Sequence, residues 1–145
     1  MGKKVREAMT TRPRSATPET SLSQVAEIMA REEVGAVPIV VDDRLVGIVT
    51  DRDLVVRAIA AGKDPRGMPA REIASDEVIS VEPEQDLDDA LELMARHRIR
   101  RLPVVEEGDR LVGMLAQADV ALQVKEKASG EMLEAVSQPD EGPRV

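Results

Sequence analysis

The sequence contains no phenylalanine, tyrosine, tryptophan or cysteine among its 145 residues. A core must therefore be aliphatic, and a flat ligand would be held without ring stacking. The lack of cysteine excludes disulfides and thiol chemistry, which fits the cytoplasm. No apolar run approaches the roughly 20 residues that cross a bilayer, and the N-terminal MGKKVREAM lacks the apolar segment of a signal peptide. We therefore expect a cytoplasmic protein without membrane association.

The charge and the polar residues exclude further classes of function. The net charge is -8, whereas a nucleic-acid binder presents a basic face, so we expect no nucleic-acid partner. The single histidine, His97, has no cysteine or second histidine with which to hold a transition metal. No catalytic triad or phosphate-binding loop pattern is present. We expect neither a metal site nor enzyme activity.

The dominant feature of the sequence is an internal duplication. A shift of 65 residues places Pro38-Ile39-Val40 on Pro103-Val104-Val105. One extra residue in the second turn changes the shift to 66, which places Arg44-Leu45-Val46-Gly47 on Arg110-Leu111-Val112-Gly113. Such a repeat is a property of the fold. Because a unit of roughly 60 residues buries little surface alone, we expect the two repeats to share one core.

Each repeat predicts two strands joined by a tight turn and followed by a helix. In the first repeat, the apolar strands 36–41 and 45–49 flank a polar turn over 42–44. Thr50, with Asp53 three residues later, has the spacing of a helix N-terminal cap. In this helix we expect an apolar face formed by Leu54, Val55, Ala58 and Ile59. With Val56, Ala60 and Ala61 opposite, the helix should be buried on more than one side.

An earlier helix is predicted from Ser21, which has a capping partner in Gln24, to a C-terminal cap at Gly35. Its inward face should carry Leu22, Val25, Ala26 and Met29. The second repeat predicts a strand over 78–81, a helix capped by Asp86, strands over 102–105 and 111–115, and a helix over 117–128. We place repeat 1 at 4–61, a Gly/Pro-rich linker at 62–70, repeat 2 at 71–128 and a disordered tail at 129–145.

The motifs carried by this duplication resemble those of a known family. The pairs are Val37-Pro38-Ile39-Val40 with GIVTDRD over 47–53, and Leu102-Pro103-Val104-Val105 with GMLAQAD over 113–119. Over residues 4 to 122 they resemble a tandem pair of CBS (cystathionine beta-synthase) domains. The resemblance implies an α/β fold of two β-α-β-β-α repeats packed through their sheets. It also implies adenosine-containing ligands (AMP, ADP, ATP, S-adenosylmethionine, sometimes NAD) in clefts between the repeats, and regulation of other proteins without catalysis.

Thr50 and Asp53 match the family positions that contact phosphate and ribose. A helix N-terminus attracts phosphate, and a carboxylate one turn later can accept ribose hydroxyl groups. The alternative is that both residues only cap the helix. In the second repeat Asp119 remains, but Ala116 replaces the threonine, so its site is in doubt.

A basic cluster runs over 96–101 in this acidic chain. It can bind phosphate by charge-assisted hydrogen bonds, or its cations can simply offset a helix dipole. The first repeat has no such cluster. The predicted ligand-binding residues are Thr50, Asp53, Arg52, Val37, Pro38, Thr17, Arg98, Arg100, Arg101 and Asp119. We expect one strong site per chain, formed by Thr50 and Asp53 of repeat 1 and the basic segment of repeat 2.

These observations predict a homodimeric regulatory sensor that binds an adenine nucleotide as its ligand, requires no cofactor and acts on an unknown protein partner. The alternative is a ligand-free scaffold for protein–protein interaction or dimerisation, a role that Ala116 favours. A third possibility is the regulatory part of a larger enzyme or transporter. No catalytic half is apparent in the linker or at either terminus, which argues against it.

Overall fold

The computed structural model describes residues 2–123. The strands are β1 (Thr10–Thr11), β2 (Ala36–Val41), β3 (Arg44–Thr50), β4 (Arg101–Glu106) and β5 (Arg110–Ala116). The helices are α1 (Leu22–Glu32), α2 (Asp51–Asp53, continuing as a π-helix over Leu54–Ile59), α3 (Leu87–His97) and α4 (described over 117–123). Short 3-10 helices lie at Val5–Glu7, Pro65–Gly67, Ala70–Glu72 and Glu107–Asp109. The rest of the last predicted helix and the predicted tail lie outside the described residues.

The two predicted hairpins are confirmed. Strands β2 and β3 pair antiparallel, as do β4 and β5, and both pairs have a register shift at the equivalent place, after Ile39 and after Val104. In the first turn, Asp42 and Asp43 have φ of 52° and 66°, the left-handed pair that a two-residue hairpin turn requires. The turns of the two hairpins meet, and the Leu111 N–H donates to the Asp43 carbonyl at 3.0 Å.

Outside the two hairpins, the described chain forms single β-bridges and one strand of two residues. The predicted strand over 78–81 is wrong as an extended element, because that segment makes one isolated parallel bridge, between Val81 and Val104. Ala16 makes the equivalent bridge to Ile39. The short strand β1, which the sequence analysis missed, pairs with β5. Among the described helices, none is both long enough and apolar enough to cross a bilayer.

Helix α1 begins as predicted and ends earlier. Ser21 is the N-terminal cap, and its hydroxyl accepts the Gln24 N–H at 3.2 Å. The predicted cap at Gly35 is wrong, because Glu33 adopts the left-handed conformation with φ 55° that ends the helix. Leu22, Val25 and Met29 are buried, but Ala26 is exposed. Ile28 packs against the core in its place.

Helix α2 has Thr50 as its N-terminal cap, as predicted, but its apolar side chains are distributed differently. Leu54 packs against the core and Ala58 is fully buried. Val55 and Ile59, predicted on the same face, are each 58% exposed, and Val56 is 48% exposed. Val55 and Ile59 each follow by one residue a side chain that packs on the core, Leu54 or Ala58, so they lie roughly a quarter of a turn round the helix from that contact. This part of the helix is π-helical, and the Ala60 N–H donates to the Val55 carbonyl five residues earlier.

The prediction of one shared core is wrong, because the buried residues form two clusters. The first contains Ala16, Leu22, Val25, Met29, Val37, Ile39, Val49, Ala58, Ala70 and Ile73. The second contains Val5, Val81, Leu87, Ala90, Met94, Leu102, Val104, Leu115 and Val120. Each cluster also contains residues from outside the repeat to which most of its members belong. These residues enlarge each core, which would otherwise bury little surface.

These completing segments are exchanged across the chain. Val5, near the N-terminus, is buried in the second cluster, and its N–H donates to the Gln85 carbonyl at 2.9 Å. Ala70, the last residue of the predicted linker, and Ile73, just after it, are buried in the first cluster, and the Ala70 N–H donates to the Thr20 carbonyl at 2.7 Å. The repeat and linker boundaries stay a prediction, but the hydrophobic packing runs across them.

The linker itself is partly ordered by a local ion pair. The Asp64 carboxylate accepts the Arg66 N–H at 2.9 Å, which caps the 3-10 helix Pro65–Gly67, and it also pairs with the Arg66 guanidinium. Hydrogen bonding and the positive charge of Arg66 lower the pKa of Asp64 below its ordinary value. Both groups are exposed, so this pair shapes the linker without contributing to a core.

Candidate functional site

A cavity of about 320 Å³ lies between the repeats, within the size range of small-molecule sites. Its walls come from three segments: the β3–α2 junction of repeat 1, the α3–β4 connection of repeat 2, and the chain that follows the linker. The lining residues are Ile48, Thr50, Asp51, Arg52, Asp53, Ser75, Glu77, Val78, Ile79, Arg98, Ile99, Arg100, Arg101 and Pro103.

The first wall is the start of helix α2. Strand β3 ends at Thr50, whose hydroxyl accepts the Asp53 N–H at 3.1 Å, while the Asp53 carboxylate Oδ2 accepts the Thr50 N–H at 2.9 Å. The capping interpretation of these two residues is therefore confirmed. It does not exclude the binding interpretation, because the hydroxyl and the second carboxylate oxygen keep hydrogen-bonding capacity toward the cavity that both residues line.

The second wall follows the end of helix α3. Arg98 adopts the left-handed conformation, with φ 57°, that ends this helix, and it is equivalent to Glu33 at the end of α1. The chain then carries Arg100 and Arg101 past the cavity into strand β4. Arg96 and His97 remain in the last turn of α3, where cations offset the helix dipole, and they do not line the cavity. The basic cluster therefore divides into a helix-terminal part and a cavity part.

The third wall is the part that sequence reasoning missed. Ser75 and Ile48 exchange two backbone hydrogen bonds, of 3.0 and 3.1 Å, which attach the chain after the linker to strand β3. This attachment brings Glu77, Val78 and Ile79 to the cavity. Their signal in the sequence is weak, because a single bridging residue produces no alternation of apolar and polar positions.

The charges of the cavity differ from those of the whole protein. Arg52, Arg98, Arg100 and Arg101 line it together with the carboxylates of Asp51, Asp53 and Glu77. Among the described residues, none of these four arginines makes an ion pair within 4.0 Å. A chain of net charge -8 thus presents a local excess of cations here, which suits an anionic group such as a phosphate.

Four predicted site residues lie outside this cavity lining. Thr17 is exposed, and its hydroxyl is bonded to that of Thr20. Val37 and Pro38 are buried in strand β2, where Val37 belongs to the first core cluster. Asp119 lies in helix α4 of the second repeat. The cavity thus brings together Thr50, Arg52, Asp53, Arg98, Arg100 and Arg101 of the predicted set.

The second repeat reproduces the backbone of the first wall without its hydroxyl. The Gln117 N–H donates to the Arg100 carbonyl at 2.7 Å, as the Asp51 N–H donates to the Gly35 carbonyl at 2.9 Å. Strand β5 ends at Ala116, which stands where Thr50 stands in the first repeat. The backbone framework of the β3–α2 junction is therefore repeated, while the hydroxyl that caps helix α2 is not.

A larger depression, of about 560 Å³, lies beside the turn of the second hairpin. It is lined by Glu82, Pro83, Glu84, Glu106, Glu107 and Arg110. Its one cation, Arg110, is already paired with Glu106. Such an acidic surface repels phosphate, so the smaller cavity is the better candidate for a nucleotide. Within the described chain, no group of three or more His, Cys, Asp or Glu side chains could hold a metal ion.

Two β-hairpin repeats with a cationic cavity between them define a tandem pair of α/β domains. The chain belongs to the CBS-domain family, whose model matches residues 5–59 and again 70–126. It is 38% identical over 134 residues to the CBS domain-containing protein YhcV of Bacillus subtilis, covering 92% of this chain and 94% of that protein. The tandem-pair interpretation of the sequence is confirmed.

Two solved structures of CBS pairs resemble the whole fold. The CBS domain pair of protein MJ0100, in complex with 5'-methylthioadenosine and S-adenosyl-L-methionine, has a TM-score of 0.80 and 26% identity, over 88% of this chain and 99% of that one. CBSX2 in complex with AMP has a TM-score of 0.74 and 29% identity, over 86% and 99% of the two chains. Both of these CBS pairs thus bind adenosine-containing molecules.

Proposed function

We propose that this protein is a regulatory module that binds an adenosine-containing nucleotide in the cavity between its repeats and performs no catalysis. The observation that carries the proposal is the joint wall of Thr50 and Asp53 from one repeat with Arg98, Arg100 and Arg101 from the other. Because neither repeat supplies both parts, a ligand in the cavity would hold the two repeats together. A sensor requires such a coupling between ligand binding and the arrangement of its domains.

The chemistry of the wall supports a nucleotide. The arginines offer charge-assisted hydrogen bonds to phosphate oxygens, and the Asp53 carboxylate can accept hydrogen bonds from ribose hydroxyl groups. Ile48, Val78 and Ile79 give the cavity its aliphatic part, against which a base can pack without aromatic stacking. The MJ0100 and CBSX2 complexes support adenosine as the nucleoside.

The test is a panel of AMP, ADP, ATP, 5'-methylthioadenosine and S-adenosyl-L-methionine against the full chain. Thermal unfolding should be followed with an added dye or by calorimetry, because the chain has no tryptophan or tyrosine. A ligand at about 100 times its Kd should add about 2.7 kcal/mol to the free energy of unfolding. GMP serves as the matched control for the base. If none of the adenosine compounds raises the melting temperature, the proposal fails.

A second function, assembly without a ligand, is favoured by one observation. Val55, Val56 and Ile59 of the π-helical segment form an exposed apolar surface, each at least 48% exposed. We propose that a second copy of the chain covers this surface in a homodimer. Dimerisation is compatible with nucleotide sensing, but a ligand-free scaffold would show the dimer and no thermal response to any nucleotide in the panel.

A further inference from the structure

We propose that Gly35 is a positioning residue of the cavity, because its missing side chain leaves the space in which the guanidinium of Arg101 lies. Gly35 immediately precedes strand β2 of the first repeat, and Arg101 is the first residue of strand β4 of the second. The nucleotide test of this proposal rests on the proposed function, whereas the spectroscopic test described below does not.

The space at Gly35 is already filled by the other repeat. A Cβ atom on this residue would overlap Nη2 and Cζ of Arg101, and it would lie 2.9 Å from the Asp51 carboxylate oxygen Oδ2. The Arg101 guanidinium therefore lies against the backbone of Gly35, with the Asp51 carboxylate beside the same point. Any side chain at residue 35 would displace the end of the arginine.

Glycine is not needed here for its backbone conformation. The glycines with positive φ are Gly62 and Gly108 among the described residues, and Gly35 is not one of them. The second repeat carries Arg100 at the equivalent position, 65 residues later, so the repeat fold accepts a large side chain there. What distinguishes position 35 is the close approach of Arg101.

The contact has a direct consequence for the cavity wall. Gly35 also fixes the start of helix α2, because its carbonyl accepts the Asp51 N–H at 2.9 Å. One residue thus supports both the α2 wall and the arginine that reaches across from β4. Among the described residues, Arg101 makes no ion pair within 4.0 Å. Its guanidinium lies at the cavity packed against the backbone of Gly35.

The variant Gly35→Ala tests this arrangement. The overlapping atoms belong to the free end of a long side chain, so the variant should fold and move the guanidinium. The matched control is Gly67→Ala, where a Cβ meets nothing within 4 Å. Calorimetry should compare AMP with adenosine. We expect Gly35→Ala to weaken AMP binding about tenfold, the effect of roughly one charged hydrogen bond, and to leave adenosine binding unchanged.

A double-variant cycle separates action through Arg101 from a direct effect. If Gly35 acts by placing this arginine, then Arg101→Gln and the double variant Gly35→Ala with Arg101→Gln should bind AMP equally weakly. Additive losses would overturn the proposal. An equal loss of adenosine and AMP binding in Gly35→Ala would also overturn it, since that pattern indicates general damage to the cavity.

The ligand-free test follows the Nε–Hε resonance of Arg101 by NMR, assigned from its loss in Arg101→Gln. We expect it to shift in Gly35→Ala and to stay in place in Gly67→Ala. An unchanged resonance in Gly35→Ala would show that residue 35 does not position the arginine. If the unmodified protein binds neither AMP nor adenosine, the proposed function fails, and this resonance alone decides the role of Gly35.

Discussion

Thr50 and Asp53 cap each other at the start of helix α2, with the Asp53 carboxylate 2.9 Å from the Thr50 nitrogen and the Thr50 hydroxyl 3.1 Å from the Asp53 nitrogen. This reciprocal pair holds both side chains in fixed positions on the cavity wall before any ligand arrives. Fixed polar groups lose little entropy when they bind. The capping role of these residues therefore favours the binding role that we propose for them.

The cap predicts a measurable asymmetry between the repeats. Thr50→Ala should lower the free energy of unfolding by about 1 kcal/mol, the usual loss for an N-terminal cap. The converse variant, Ala116→Thr, places a hydroxyl three residues before Asp119 and should raise it by a similar amount. Chemical denaturation of both variants measures these changes. If Thr50→Ala leaves stability unchanged, the cap contributes nothing despite its geometry.

The exchanged segments predict that the N-terminus stabilises the second repeat. Val5 is fully buried in the second core cluster, so Val5→Ala should lower the free energy of unfolding by about 2 kcal/mol from lost burial and the cavity left behind. The matched control is Val46→Ala, at a valine that is 43% exposed in strand β3, which should change it by less than about 0.5 kcal/mol. Equal effects would contradict the assignment of Val5 to this core.

The hairpins, the starts of α1 and α2, and the tandem CBS fold were predictable because their signals are local. A run of apolar residues, a polar turn, and a hydroxyl three residues before a capping partner each lie within one short window of sequence. The duplication showed the two strands and their turn twice, although the capping hydroxyl of Thr50 is not repeated at Ala116. The cavity residues at the β3–α2 and α3–β4 junctions were predictable for the same reason.

What the sequence did not predict depends on contacts between distant residues. The exchange of Val5 and Ile73 between the two cores leaves no periodic trace, and neither does the attachment of Ser75 to Ile48 that brings Glu77 into the cavity. The exposure of Val55 and Ile59 was not predicted, because a helix that is apolar on all sides does not show in its sequence which side chains face the core. The close approach of Arg101 to Gly35 appears only once the repeats are assembled.

The exposed apolar surface of α2 predicts a homodimer. Ile59→Asp should convert the dimer to a monomer, because a carboxylate buried in an interface without a partner is strongly unfavourable. Light scattering across micromolar concentrations measures the mass. Val46→Asp, at a comparably exposed valine of the first hairpin, is the control and should leave the mass unchanged. A monomer mass for the unmodified protein would refute the dimer.

The composite wall of the cavity predicts one strong nucleotide site per chain. Asp53 lines the cavity that contains Arg98, Arg100 and Arg101, whereas Asp119 follows Ala116, which supplies no hydroxyl. Asp53→Asn should weaken AMP binding by about tenfold or more, since hydrogen bonds to charged groups are worth roughly 1.5–3 kcal/mol. The asparagine oxygen can still accept the Thr50 N–H, so the cap is kept.

Asp119→Asn is the matched control, because Asp119 lies outside the cavity lining. It should change the Kd for AMP by less than about twofold, which corresponds to about 0.4 kcal/mol of binding free energy. Calorimetry that finds two equal sites, or equal losses in the two variants, would show that the repeats bind independently and that the basic segment of repeat 2 does not complete the site of repeat 1.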